Sequence, residues 1–564
     1  MHGGNAPALR IIHLNGNRTP LPKPACSPLV ALVAGMTTVD NSHCCSAPPH
    51  ALRHSHVPAC RPPQPVRAVC ACFQEPFVSL LAEEKVDATA LPRPAFPDYR
   101  VISLIVACAI FMEQMDATVL ATALPTMARD FQVRAPAMSI AMTSYLLALA
   151  VLIPISGKVA DRFGTKRVFS GSIIVFVLGS ILCSLTHSLP MMVAARLLQG
   201  AGGAMMAPIG RLVLLSAVER RHFVSAMSWT LVPAFLGPLI GPPLGGFIVQ
   251  YLDWRWIFYI NVPIGLLGFW LVRRFIPYIP SAAQPSRFDL GGFALCSVGL
   301  GCLLFGFEEV GQSANLPHAL SLMAVGALAC MGYLWHARHR SDPLIDLSLL
   351  RIDSFRLSVI SGALMRITQG AQPFLLPLMF QIGFGMSAVR SGQLILATSL
   401  GALLIRSATP ALLKRTGFRR GMVINGVLSS MSYAVCAFFQ PDWPFALMFV
   451  LLMVCGTSMS FQFGAYNTVA YEAVPAERMS AANSFYTTLQ QLMLSVGVCS
   501  GAMILKLSMA TEHHSQLGQR DFAIAFLVVT LISLCATRWH LKFAHDAGSE
   551  MSGHRGRGAA QEAA

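Results

Sequence analysis

Charge is scarce in this chain. Of its 564 residues only 12% are Asp, Glu, Lys or Arg, against about 25% in soluble domains, while 54% are hydrophobic. A water-soluble fold of this length needs a charged exterior that such a composition cannot supply. That excludes a soluble enzyme or scaffold and leaves a polytopic membrane protein. No GxxxxGK[ST] phosphate loop is present, which excludes ATP as the energy source. HEXXH and nucleophile-elbow patterns are missing as well, so no enzyme constellation and no cofactor are expected. There is no CxxC pair among the 15 cysteines. Cys108, Cys183, Cys296, Cys302, Cys330, Cys436, Cys455, Cys499 and Cys535 lie in apolar runs, where Cys acts as a small hydrophobe. The denser set of Cys26, Cys44, Cys45, Cys60, Cys70 and Cys72, with His43, His50, His54 and His56, fits no common zinc spacing, and no metal site is expected.

Residues 1–98 also lack sustained periodicity, being rich in Pro, Arg, His, Cys and Ala. Their apolar patch, Leu29 to Met36, is too short for a span or a signal sequence. Two readings stand: a disordered tail, or an extension upstream of the true start. Neither gives it a function.

From Val101 onward, apolar runs long enough to cross a bilayer recur fourteen times, at about 101–124, 137–156, 167–186, 189–213, 222–249, 256–275, 288–307, 318–336, 355–377, 388–410, 421–439, 443–467, 482–507 and 521–539. Each is expected to be helical, because backbone groups in lipid must be satisfied within their own segment. Alternate connections carry the basic residues: Lys158, Arg162, Lys166 and Arg167; Arg220 and Arg221; Arg273, Arg274 and Arg287; Arg338 and Arg340; Lys414, Arg415, Arg419 and Arg420; then Arg478. The tail adds Arg538, Lys542, Arg555 and Arg557. This bias places those loops and both termini in the cytoplasm. It also accounts for the net charge of +15 through lipid contact and topology, with no nucleic acid.

The densest of these connections is Gly157-Lys-Val-Ala-Asp161-Arg162-Phe-Gly164-Thr-Lys166-Arg167, with five charges and two glycines in eleven residues. It predicts a tight hydrophilic turn at the membrane surface. A copy lies 253 residues on, where Leu412–Arg420 aligns with Val159–Arg167, and Ala481–Phe485 aligns with Ser225–Trp229 at an offset of 256. Two matches at nearly one offset indicate related halves. The expected organisation is an extension over 1–98, a six-helix bundle over 99–275, two extra helices over 276–340, a second six-helix bundle over 341–542 and a disordered tail over 543–564.

These features resemble the major facilitator superfamily across about residues 100–540. Fourteen spans with MDATVLATALP (115–125) in the first resemble its drug:proton antiporters of the EmrB/QacA type. ARLLQGAGGAMMAP (195–208), GPLIGPPLGG (237–246), WRWIFYINVPIG (254–265) and PLIDLSLLR (343–351) point to the same group. The resemblance implies an all-α membrane fold of two six-helix bundles plus two central helices.

Glu113 and Asp116 stand three apart on one face of the first span, deep in an apolar run. A carboxylate at that depth is costly unless protonated, paired or wetted. Low-dielectric surroundings favour the neutral acid, which suits a group that loads and releases a proton. The plainer reading is a permanent ion pair. The resemblance favours Asp116 for proton coupling and makes Arg196, in the fourth span beside Gln199, the arginine of proton transfer; a static pair with either acid is the alternative. Arg366 falls opposite Glu113 under the 253 offset and is a second candidate charge partner or substrate contact. Arg406, nearer a helix end, is expected to snorkel.

Gly237, Gly241 and Gly245 recur every four residues, interleaved with Pro238, Pro242 and Pro243. Such a face admits close helix approach. Under the resemblance it is the antiporter motif, a kinked interface between the halves; an ordinary kinked packing helix is the bland alternative. The turn reads as a cytoplasmic gate made of Gly157, Asp161, Arg162, Gly164, Lys166 and Arg167, its charges set to meet helix ends. The copy has Lys414 in place of Asp161, so the latch is expected to be asymmetric.

The leading functional reading is a proton-coupled multidrug exporter of the inner membrane, working by alternating access. Its partners would be small amphipathic drug-like substrates, protons, the lipid bilayer and, as for some relatives, a periplasmic adaptor. The alternatives are a same-fold importer of a small metabolite and a non-transporting membrane sensor.

Overall fold

The structure, a computed structural model, describes residues 98–548 apart from 219–221, 278–288, 311–315, 341–342, 476–477, 512–515 and 545–546. The extension, most of the tail, and Arg220, Arg221, Arg287, Arg555 and Arg557 therefore lie outside the described residues.

Each expected apolar run is covered by a long helix, and the described residues contain no strand. In chain order these are α1 (Tyr99–Asp130), α2 (Ala135–Phe163), α3 (Thr165–Ser184), α4 (Leu189–Ala217), α5 (Phe223–Tyr251), α6 (Trp256–Phe275), α7 (Leu290–Val310), α8 (Leu316–Arg338), α9 (Asp353–Leu378), α10 (Ala388–Thr416), α11 (Phe418–Cys436), α12 (Phe445–Val469), α13 (Met479–Thr511) and α14 (Gln519–His540). Eleven are long and apolar enough to cross a membrane by length and composition; α5, α9 and α11 are the others. The chain is a multi-pass membrane protein.

The helices run further than their apolar cores. The expected turn over 157–167 is thus mostly helix: α2 continues to Phe163, Gly164 alone breaks the path at φ +85°, and α3 starts at Thr165. Only a residue without a Cβ takes that conformation without strain. At the offset of 253, Gly417 does the same between α10 and α11 at φ +71°. The repeat read from sequence is therefore a repeat of backbone geometry.

Apolar packing is unequal along the bundle. At the end holding Asp130, one buried cluster draws on both helix groups, with Met115, Leu124 and Met127 of α1 joining Phe374, Leu378 and Phe380 of the α9 segment, Leu394 of α10 and Leu505 of α13. At the end holding Gly164 the buried apolar residues divide among three clusters. One contains Ile102, Phe169, Ile209 and Val272, all from α1–α6. Another contains Phe355, Met422, Phe461 and Tyr486, all from α9–α14. The third, with Ile155, Cys296, Tyr333, Ala337 and Leu344, lies between them, so the groups share one core at the Asp130 end and divide into separate cores at the Gly164 end. Helices α7 and α8 pack on one another, and α7 also lies against α2 and α13.

Prolines shape the joint. Pro242 has no N–H to donate to the Pro238 carbonyl one turn back, as a helix interior would require. That carbonyl instead accepts from Ser399 Oγ of α10 at 2.7 Å. Gln381 Nε2 donates to the Thr122 carbonyl at 2.9 Å, and Ser495 Oγ to the Thr143 carbonyl at 3.3 Å. Each bond crosses between α1–α6 and α9–α14.

Candidate functional site

The first-span acids sit on α1 facing α2, α3, α4 and α6. Asp116 is 3% exposed and accepts three hydrogen bonds: Arg196 Nη1 at 2.6 Å, Gln199 Nε2 at 2.8 Å and Asn261 Nδ2 at 3.0 Å. Arg196, 1% exposed, also donates through Nε to the Ala141 carbonyl at 3.0 Å and through Nη1 to Gln199 Oε1 at 2.7 Å. The Tyr145 ring lies 4.4 Å from its guanidinium carbon. Gln199 Nε2 closes the network on Ser180 Oγ at 2.8 Å. A charged pair this deep is tolerable because fixed donors satisfy the carboxylate and an aromatic face covers the cation. In this conformation the pairing of Asp116 with Arg196 is made.

Glu113, one turn nearer the Gly164 end, is outside that network. It is 9% exposed, and its Oε2 has no hydrogen-bond partner among the described residues. Arg366 is elsewhere too. Its Nη1 donates to Gln369 Oε1 at 3.0 Å and its guanidinium lies 4.1 Å from the Phe463 ring centroid, while Nη2 is buried with no hydrogen-bond partner among the described residues. No ion pair joins it to Glu113 or Asp116 among the described residues. The offset of 253 does hold for position, since Glu113 and Asp116 map onto Arg366 and Gln369, but the two pairs face separate clusters.

The sequence reading passed over Asn261 and Tyr145. Asn261 had a signal, being a polar residue inside the WRWIFYINVPIG span. Tyr145 had none. Glu308 on α7, 3% exposed, was also missed: it accepts from Ser139 Oγ of α2 and lies 3.6 Å from Lys506 Nζ of α13.

The glycine row of α5 faces α1. A methyl group at Gly241 would lie 2.1 Å from Thr118 Oγ1, one at Gly245 2.3 Å from Thr122 Oγ1, and one at Gly237 3.0 Å from the Met115 nitrogen. The row therefore builds an interface within α1–α6, which corrects the expectation of a glycine face between the halves. Pro238 and Pro242 of α5 meet α10 on its other side, where a methyl at Gly392 would sit 2.3 Å from the Pro242 carbonyl oxygen. Pro243 follows on the same helix, and Gly246 approaches Ala388.

Between α1, α5, α9, α10 and α12 lies a cavity of about 340 Å³, lined by residues from both groups, including Gln114, Thr118, Phe235, Gln369, Gln372 and Phe463. Gln114 and Thr118 share α1 with the two acids but face the opposite way. Arg406, an exposed residue, lines this cavity and also the pocket bounded by Leu413, Phe418 and Asn467 toward the Gly417 end, with its guanidinium 3.6 Å from the Phe235 ring centroid.

At the Gly164 turn, Lys166 Nζ donates to the Arg273 carbonyl at 3.0 Å, a cation on the C-terminal turn of α6. Arg162 lies over the Phe163 ring. Gly157 has open space around it, and Asp161 is exposed with no hydrogen bond or ion pair among the described residues. Lys166 thus meets a helix end here and Asp161 does not. Beyond α8, Asp346 accepts from Ser348 N at 3.0 Å, Ser348 Oγ at 2.7 Å and Arg478 Nη2 at 2.6 Å. Burial works against its charge, but the Ser348 and Arg478 contacts outweigh it and hold its carboxyl below the usual range.

The family model described as Major Facilitator Superfamily matches residues 106–498. The chain belongs to that family of transporters. It is 36% identical over 407 residues to a protein of Serratia proteamaculans (strain 568) named for multidrug resistance, MdtD, an alignment covering 71% of this chain and 84% of that one. A protein of the same name from Salmonella typhi is 36% identical over 413 residues, covering 73% and 87%. Among solved structures, a D-xylose-proton symporter superposes with a TM-score of 0.58 at 14% identity, covering 79% of this chain and 98% of that chain. An auto-inhibited peptide transporter of the POT family superposes with a TM-score of 0.57 at 15% identity, covering 78% and 97%. These two show the fold alone.

Proposed function

We propose that the protein is a proton-coupled exporter of drug-like molecules in the cytoplasmic membrane, with the Gly164 end facing the cytoplasm. The carrying observation is the double face of α1. One side holds Asp116 against Arg196, Gln199 and Asn261, and the other lines the central cavity through Gln114 and Thr118. Protonating Asp116 removes the charge that holds Arg196, which frees α1 to shift, and such a shift changes the cavity wall. Glu113, buried and lacking a full set of partners, is a second proton acceptor on the same face. The conformation with groups joined at the Asp130 end is then the inward-facing one, and the turn from Gly157 to Arg167 latches the cytoplasmic side when the opposite side opens. The names of the relatives support the drug class. Reconstituted in proteoliposomes, Asp116→Asn is expected to lose efflux driven by a pH gradient while retaining substrate counterflow. Full gradient-driven efflux by that variant would overturn the coupling role.

A further inference from the structure

The central cavity has an unusual charge. Among the described residues lining it, Arg406 is the only ionisable side chain, and no aspartate or glutamate contributes. Both first-span acids are turned away, Asp116 being committed to Arg196 on the far side of α1. Arg406 has no ion pair or hydrogen bond among the described residues. Its contact is the Phe235 ring across the gap between α10 and α5. Stacking covers one face of a guanidinium and leaves its in-plane N–H fork available, the geometry that binds a carboxylate bidentately.

The surroundings continue the theme. Gln369 and Gln372 supply neutral amides, while Phe235 and Phe463 offer aromatic surface. Behind Phe463 stands a second cation, Arg366, whose Nη2 is buried with no hydrogen-bond partner among the described residues. A cationic substrate entering here would meet positive charge with no carboxylate to offset it. An anion would find a donor fork already held in place.

We infer that the cavity takes aromatic organic anions, with Arg406 binding their carboxylate and the phenylalanines packing on their ring. This rests on the exporter reading above and specifies its substrate class. The contrary view is that Arg406 is only a topology-setting positive charge, and that the cavity serves cationic drugs.

The two are separated by three dansyl probes of one ring system: dansylglycine (anion), dansylamide (neutral) and dansylcadaverine (cation). Binding to the purified full-length protein is followed by probe fluorescence with no proton gradient present. Dansylglycine is expected to bind roughly tenfold or more tighter than dansylcadaverine, the scale of one charge-assisted contact. Arg406→Gln should erase that preference, and Arg406→Lys should keep part of it. Unchanged dansylamide binding in both variants shows that the cavity is intact. The assignment is overturned if the cation binds as tightly as the anion, if the preference survives Arg406→Gln, or if none of the probes binds. Gradient-driven transport is measured separately. Retained anion preference without proton-driven transport would overturn the antiport reading and leave this one standing.

Discussion

Arg196 Nη1 lies 2.6 Å from Asp116 Oδ2, and both side chains are at most 2% exposed. The two ends of this pair are not equally supported. Arg196 retains the Ala141 carbonyl, Gln199 Oε1 and the Tyr145 ring when Asp116 is changed, whereas Asp116 without Arg196 keeps only neutral amides. Removal of one partner from a buried pair typically costs about 3–5 kcal/mol. Arg196→Met is therefore expected near that range and Asp116→Asn clearly below it, in unfolding experiments in detergent. Equal losses would show that the pair is supported symmetrically.

Gly241 tests the α1–α5 contact. In an exposed helix interior, Gly→Ala gains about 1 kcal/mol from propensity. Here the new methyl would overlap Thr118 Oγ1, and overpacking costs about 1–3 kcal/mol. Gly241→Ala should thus lower the melting temperature, and adding Thr118→Ala should restore much of the loss. If the double variant is no better than the single, the clash lies elsewhere.

The latch is expected to be asymmetric. Asp161→Asn should reduce transport severely, whereas Lys414→Ala, at the corresponding position of the second turn, should be tolerated. Transport rates normalised to membrane expression provide the check, and equal effects would remove the asymmetry. Gly164→Ala and Gly417→Ala, both at positive φ, should each cost about 2 kcal/mol of stability.

Asp346 carries a pH signature. Its carboxyl is held below its ordinary range in the folded protein, so the stability it contributes is present above that range and is lost as pH falls through the folded value. Arg478 is 36% exposed, which limits the contribution to about 1 kcal/mol or less. Asp346→Asn should therefore melt slightly lower at pH 7 and converge with wild type as the pH falls through the folded value. A gap that widens on acidification would contradict the assignment.

Much of this was legible in the chain. The apolar runs marked where the fourteen long helices lie, and the charge-dense turn with its copy gave the offset that Gly164 and Gly417 share. Residue spacing placed Glu113 and Asp116 on one face of α1, and the sequence motifs singled out Arg196 and Gln199. What spacing along one helix cannot give is how that helix is rotated against its neighbours. For that reason the row of Gly237, Gly241 and Gly245 turned out to face α1, Arg366 stood among aromatic residues away from the acids, and Asn261 entered the Asp116 cluster unforeseen. For Arg406, distance from a helix end gives depth alone, and its contact with the Phe235 ring is one that spacing cannot supply.

An acid-free cavity with Arg406 in its wall has an electrical corollary. Exchanging one proton inward for one cation outward moves no net charge, so the membrane voltage does no work on it. Exchanging a proton inward for a monoanion outward moves two charges in the same electrical sense. At about 2.3 kcal/mol per charge for each 100 mV, an inside-negative potential would then drive the cycle as strongly as a large pH difference. A carrier built this way keeps running on voltage alone when the two sides are at equal pH, and under that condition it stalls when the voltage is collapsed.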